Sequence, residues 1–163
     1  MFVQSTVIRY GDHVDTDVII PARYLNTTDP AELAAHCMED LDSDFKRKSE
    51  TSRIIVAGRN FGCGSSREQA PIALKQAQVA LVVAQGFARI FRRNCINIGM
   101  PVFVADAVKK LHTGEIIEVD LEKGTITAPC GVIEANPLSE NVLKTLEYGG
   151  LIPRVRAELG ITE

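Results

Sequence analysis

Three short, uninterrupted apolar runs, RIIVAG (53–58), VALVVA (79–84) and PVFVA (101–105), constrain what this chain can fold into more than any other feature. A strand with one face in water alternates apolar and polar residues, so a run without polar interruption describes a strand covered on both faces. The segments between the runs read as helices. After the loop RNFGCGSS, Ser65 with Glu68 and Ser66 with Gln69 each satisfy the S-x-x-E/Q capping pattern. Either serine therefore predicts the helix start, and Pro71 is comfortable only if it falls in the first turn. FARIFRRNCINIG (87–99) predicts the next helix, ending at Gly99. Strands alternating with helices make the core an α/β structure.

The flanking segments extend this core. FVQSTVIRY (2–10) has the β-rich composition of a strand. Asp29 followed by Pro30 reads as an N-cap with proline at the first helical position, and Leu33, Cys37, Leu41 and Phe45 recur every four residues, predicting a helix over about 30–46. DAVKKLHTG predicts a short helix closing on Gly114; EIIEVDL (115–121) and TITAP (125–129), joined through EKG, predict a hairpin, with GVIEA (131–135) a further strand. Asn136 and Pro137 introduce a last helix, about 138–147, which Gly149-Gly150 stops; from Leu151 onward no pattern is legible. No repeat, low-complexity tract or linker divides the sequence, so residues 1–163 are expected to form a single domain.

Composition narrows the function. With 45% hydrophobic and 24% charged residues the chain belongs among folded globular domains rather than disordered segments. A formal net charge of -3 supplies no basic field, so neither nucleic acid nor an anionic membrane surface is the expected partner. The N-terminal segment lacks a basic stretch followed by an apolar one, and no run approaches the length of a membrane span, which predicts a cytoplasmic location. Cys37, Cys63, Cys95 and Cys130 lie 26, 32 and 35 residues apart, unlike the clustered pairs of zinc or iron–sulfur sites. No metal ligand set is predicted in this chain.

The chemistry concentrates in NFGCGSSREQ (60–69). A buried strand ends there in a turn whose glycines permit close backbone approach, and the following helix start presents unpartnered amides, an arrangement suited to anions. The segment is neither a Walker A loop, since no Gly-Lys-Ser/Thr follows, nor a GxGxxG turn, since Arg67 stands where the pattern needs glycine. A carboxylate held by the amides and the Arg67 guanidinium fits as well as a phosphate. A serine in that positive environment could serve as a base. The plainer reading makes the glycines a tight turn, the serines helix caps and Arg67 a solvated side chain. A second polar cluster, GDHVDTDVIIPARYLNT, carries Asp12, His13, Asp15 and Asp17, then Arg23 and Tyr24, without the spacing of an EF-hand. His36 and His112 read as surface residues, and Arg92-Arg93 as an exposed helix face.

Three motifs, in order, carry a resemblance: GDHVDTDVIIPARYL (11–25), NFGCGSSREQAP (60–71), and FARIF with Asn94 and NIG (87–99). Together they make the chain similar to the small subunits of the isopropylmalate dehydratase family in the aconitase superfamily, closely over about 2–105 and more weakly beyond. The resemblance implies the swivelling β/β/α domain found at the aconitase C terminus. It also implies a serine base at Ser65, a substrate-carboxylate arginine at Arg67, and substrate contacts from Ser66 and from Gly64 in the turn. Asp17 matches an active-site aspartate, and the loop ARYLNT makes Arg23, Tyr24, Asn26 and Thr27 candidates for selecting the substrate's side group. A four-iron four-sulfur cluster is then expected in a separate large subunit, with a small hydroxy-dicarboxylate as substrate. Two positions depart from the family pattern. Gln69 replaces the usual histidine and cannot carry charge, and Asn26 stands where homoaconitase-type chains tend to have arginine, which favours an apolar isopropyl group over a longer tricarboxylate. Dimethylmalate or methylmalate dehydration, and a stand-alone anion-binding module, are the alternatives.

Overall fold

The computed structural model describes residues 1–161. Its strands are β1 (Phe2–Arg9), β2 (Ile54–Ala57), β3 (Leu81–Ala84), β4 (Val102–Val104), β5 (Ile116–Asp120), β6 (Thr125–Ala128) and β7 (Gly131–Glu134), joined in one sheet of order β4-β3-β2-β1-β5-β6-β7. β1 is the hinge of this sheet. On one side it pairs in parallel with β2, Val7 opposite Ile54, and β3 and β4 continue in parallel. On the other it pairs antiparallel with β5, Phe2 opposite Asp120, and β6 and β7 continue the antiparallel half.

Side chains leaving alternate faces of the parallel half enter two different cores. Ile8, Ile55, Ala57, Val82, Ala84 and Val102 pack with the helices. Val7, Ile54, Val56, Leu81, Val83 and Phe103 pack instead with Ile117, Val119, Leu121, Ile126 and Ile133 from the antiparallel half, which therefore curls over the second face. This double cover explains why every residue of β2 and β3 is buried and why their sequences show no alternation. The result is the mixed α/β domain the sequence predicts.

The helical elements are α1 (Thr16–Ile19), α2 (Pro30–Ala35), α3 (Phe45–Lys48), α4 (Gln69–Gln76), α5 (Arg89–Asn97), α6 (Glu140–Glu147) and α7 (Leu151–Glu158), with a 3-10 turn at Ala22–Tyr24. Asp29 caps α2 by accepting from the Ala31 amide, and Ser139 caps α6 by accepting from Val142. Gly149 and Gly150, at φ 85° and 136°, end α6 and let the chain pass close to Gly99 and the Asn97 carbonyl.

Four sequence expectations are corrected. The helix expected over 30–46 stops at Ala35: Met38 takes φ 62° and its amide donates to the Ile19 carbonyl at 2.8 Å, turning the chain back. Leu33, Cys37 and Phe45 are still buried, but Leu41 is exposed, so the fourfold spacing reflects separate turns over one core. DAVKKLHTG forms a turn rather than a helix, and Gly114, at φ 93°, donates to the Val7 carbonyl to set the chain beside β1. Neither Ser65 nor Ser66 caps a helix, because α4 starts later, at Gln69, with Pro71 inside its first turn. The tail that showed no pattern is the helix α7, none of whose residues is buried.

Phe103 is fully buried where the two halves of the sheet meet. Phe103→Ala is expected to lower unfolding free energy by about 3–5 kcal/mol in urea titrations, the range for emptying an aromatic core position. A loss under about 1 kcal/mol would contradict the curled packing.

Candidate active site

Parallel pairing of β1, β2 and β3 sends the segments that follow them to the same sheet edge, the carboxyl end, where open α/β sheets characteristically place their sites. Three segments are stitched together there by backbone hydrogen bonds. Gly62 donates to Val14 at 2.7 Å, Thr16 donates to Cys63 at 2.9 Å, Phe61 donates to Gly86 at 2.9 Å and Ala88 donates to Phe61 at 2.9 Å. The Thr16 hydroxyl adds a further tie, donating to the Ser65 carbonyl at 2.7 Å.

Glycine is required at the turn itself. Gly62 and Gly64 stand at φ 81° and 90°, and a Cβ on Gly62 would clash with Cγ, Cδ1 and Cβ of Phe91 on α5. Between this turn and α5 lies a cleft of about 300 Å³ lined by Thr16, Gly62, Gly64, Ser66, Arg67, Ala88, Arg89, Ile90, Phe91 and Asn94. Arg67 is its main polar feature. Nη2 pairs with Asp17 Oδ1 at 2.6 Å, whereas Nη1 is buried and has no hydrogen-bond partner among the described residues. A buried guanidinium nitrogen without an acceptor costs free energy unless a ligand supplies one, and a carboxylate matches its geometry. Asp17 itself is anchored through its amide, which donates to the Asp15 carboxylate at 2.6 Å as part of the α1 cap.

The structure thus brings Gly64, Ser66, Arg67 and Asp17 together. Ser65 is exposed beside the cleft rather than among its lining residues. Arg23, Tyr24, Asn26 and Thr27 do not line it either. Arg23 Nη2 contacts Asp40 at 2.6 Å and Glu39 at 2.8 Å, the Tyr24 hydroxyl donates to Glu39 at 2.7 Å, and Tyr24 stacks on His36 with ring centroids 3.8 Å apart. The Thr27 hydroxyl accepts from the Asp29 amide at 3.1 Å, and Asn26 is exposed. The Tyr24 hydroxyl, then His36 and Arg23, hold the Glu39 carboxyl down to about 2. Gln69 opens α4, partly buried behind the turn. Arg89, Ile90 and Asn94, on the first turns of α5, are lining residues that the sequence left without a role; their only signal was the third motif, FARIF with Asn94.

An iron–sulfur cluster does not fit this chain. Cys37 and Cys95 are buried in the core, where burial pushes both thiols up, away from the thiolate a metal needs. Burial, then the Asp15 carboxylate, also raises Cys63, and Cys130 is exposed on the turn between β6 and β7. No group of three His, Cys, Asp or Glu side chains is placed to hold a metal ion among the described residues. No helix of the described residues is long and apolar enough to cross a membrane.

A curled mixed sheet with a glycine-turn arginine at the carboxyl end of its parallel strands defines the class, a domain of the aconitase C-terminal type, and that family's profile matches residues 20–106. The 3-isopropylmalate dehydratase small subunit of Caldanaerobacter subterraneus subsp. tengcongensis is 50% identical over 160 residues, covering 96% of this chain and 99% of that protein. A 2,3-dimethylmalate dehydratase small subunit from Eubacterium barkeri is 59% identical over 128 residues, 78% of each chain. The crystal structure of a 3-isopropylmalate dehydratase from Methanocaldococcus jannaschii, 41% identical, superposes with a TM-score of 0.91 over 99% of this chain and 97% of that one. The chain belongs to the 3-isopropylmalate dehydratase small-subunit family, the small components of hydro-lyases.

Gly62→Ala combines left-handed backbone strain with overpacking against Phe91 and is expected to cost roughly 2–4 kcal/mol. Gly64→Ala, whose Cβ would come no nearer than 3.4 Å to the Asp15 carboxyl and 3.5 Å to the Thr16 hydroxyl, ordinary contact distances, should cost no more than the strain, about 1–2 kcal/mol. Equal losses in chemical denaturation would refute the close approach of Phe91. Because the folded pKa of Glu39 is depressed, its contribution to stability is present above about 4.5 and is lost as pH falls through about 2. Carboxyl NMR should show Glu39 titrating near 2 in the wild type and moving upward in Tyr24→Phe.

Proposed function

We propose that this chain supplies half of a dehydratase active site acting on isopropylmalate, interconverting the 2- and 3-hydroxy isomers through isopropylmaleate in leucine biosynthesis. The observation that carries the reading is the cleft arginine: Arg67 has one edge aimed by Asp17 and one buried nitrogen lacking an acceptor, a receptor for a carboxylate. Elimination needs a base for the proton α to a carboxylate, an anchor for the charge that develops, and help for the leaving hydroxide. Arg67 is the anchor, assisted by the Ser66 hydroxyl and the Gly64 backbone. Ser65 is the base: its side chain stands free at the cleft rim while its carbonyl is pinned by Thr16. As the alkoxide it takes the proton, the C–H electron pair becomes the new π bond, and the C–O bond breaks. Asp17 is the residue that orients Arg67.

Help for the leaving hydroxide calls for a Lewis acid, and among the described residues no group of three His, Cys, Asp or Glu side chains is placed to hold a metal ion. We assign it to a four-iron four-sulfur cluster in a partner large subunit, which closes over the exposed Ser65. Arg23, Tyr24, Asn26 and Thr27, which stand outside this chain's cleft, are assigned to choosing the substrate's side group by the loop's match to the family motif; the clamp on Glu39 holds Arg23 and Tyr24 in place, and Asn26 sets no charge against an apolar branch. The 59% identity to the 2,3-dimethylmalate dehydratase small subunit favours that malate as the second reading.

Reconstitution with a cluster-loaded large subunit tests this. Ser65→Ala is expected to lower kcat by at least about a thousandfold with the complex still assembled, and Arg67→Lys, which loses the fork geometry, to lower kcat/KM by about a hundredfold. Appreciable turnover by the isolated chain, or near-normal turnover by Ser65→Ala, would overturn the assignment. A best turnover on 2,3-dimethylmalate, among isopropylmalate, homoaconitate and dimethylmalate, would select the second reading.

A further inference from the structure

The α5 wall of the cleft has no role in the scheme above. Arg89 is the first residue of α5, is exposed, and enters no ion pair among the described residues. It lines the same cleft as Arg67, with Ile90 and Asn94 beside it, and no acidic side chain is part of that lining. A hydroxy-dicarboxylate brings two negative charges. Arg67 is already partly neutralised by Asp17, and its free nitrogen serves one carboxylate. On this chain's half of the site, Arg89 is the other cation of the lining and the one group placed to meet the second charge. It stands at the positive end of a nine-residue helix, which adds potential of the same sign.

We infer that Arg89 is a substrate-binding residue that holds the second carboxylate, with Asn94, five residues further along α5 and lining the same cleft, as a hydrogen-bonding neighbour. Ile90, 47% exposed, is an apolar residue of the same wall beside Arg89. The inference rests on reading the chain as part of a malate dehydratase. Arg89 also borders a shallower groove between α5 and α6 lined by Arg92, Arg93 and Val142, so a grip on the partner subunit is the role to be distinguished.

In the reconstituted enzyme, Arg89→Ala should raise KM for 2-isopropylmalate about tenfold to a hundredfold while kcat changes less, the size of one charge-assisted contact, and Arg89→Lys should recover part of the loss. The inhibitor 2-hydroxy-2,3-dimethylbutanoate, which lacks the second carboxylate, should bind Arg89→Ala and wild type alike and bind Arg67→Ala more weakly. Unchanged KM at saturating large subunit, with weakened subunit association, would make Arg89 an interface residue and overturn the inference while leaving the proposed function standing. If the wild-type complex dehydrates none of the malates, the proposed function falls. The full chain alone then decides Arg89: guanidinium Nε–Hε NMR signals should shift for both Arg67 and Arg89 with 2-isopropylmalate, and for Arg67 only with the monoacid. An unmoved Arg89 signal would overturn the inference.

Discussion

The backbone ties among the segments following β1, β2 and β3 are what the rest of the site depends on. Parallel strands must leave the sheet in the same direction, so residues distant in sequence arrive together at one edge. There the Val14–Gly62, Cys63–Thr16 and Phe61–Ala88 hydrogen bonds convert three flexible connections into one rigid platform. Glycine at 62 lets the platform press against Phe91, and this contact fixes α5 as the second wall of the cleft. Without the parallel pairing, Asp17 could not reach Arg67, since fifty residues separate them in the chain.

Electrostatics then tune the platform. Arg67 is held on one side by a largely exposed carboxylate, an interaction that solvent weakens, and its other terminal nitrogen is buried without an acceptor among the described residues. The guanidinium is thus only partly neutralised by Asp17, and the proposed carboxylate would supply the missing acceptor. The clamp at Glu39 works differently. There Arg23, Tyr24 and His36 converge on one carboxylate and satisfy one another, so the motif that looked continuous in sequence, DTDVIIPARYL, divides into a part that aims Arg67 and a part locked against α2 and the turns after it. Ser65 belongs to neither arrangement, standing free at the rim where a partner surface would complete its surroundings.

Much of the architecture was legible because it follows from local rules. Doubly buried strands have an unmistakable composition, Asp29-Pro30 caps by short-range geometry, and Gly149-Gly150 can only end a helix. The misjudged segments share a cause. In 30–46 the apolar spacing was real, but Met38 gives its amide to Ile19 rather than to a helical carbonyl, a long-range competition that periodicity does not register. Ser65 and Ser66 matched a capping pattern, yet the Thr16 bond to the Ser65 carbonyl helps hold the chain in a turn until Gln69. Arg89 and Asn94 went unassigned because a helical arginine looks solvated until its neighbours across the cleft are known.

The sequence by itself determined the class of fold, the glycine turn and the family, since strand burial, left-handed backbone and motif order are written in residue type and spacing. It also determined that no clustered set of thiols is present. Only the tertiary structure decided which charged groups meet: that Asp17 aims Arg67, that Arg23 turns away to Asp40 and Glu39, and that α5 brings Arg89 to the cleft. The physical reason is that pairing of charges depends on distance through space, and that distance is set by how the sheet curls and where parallel strands release their loops.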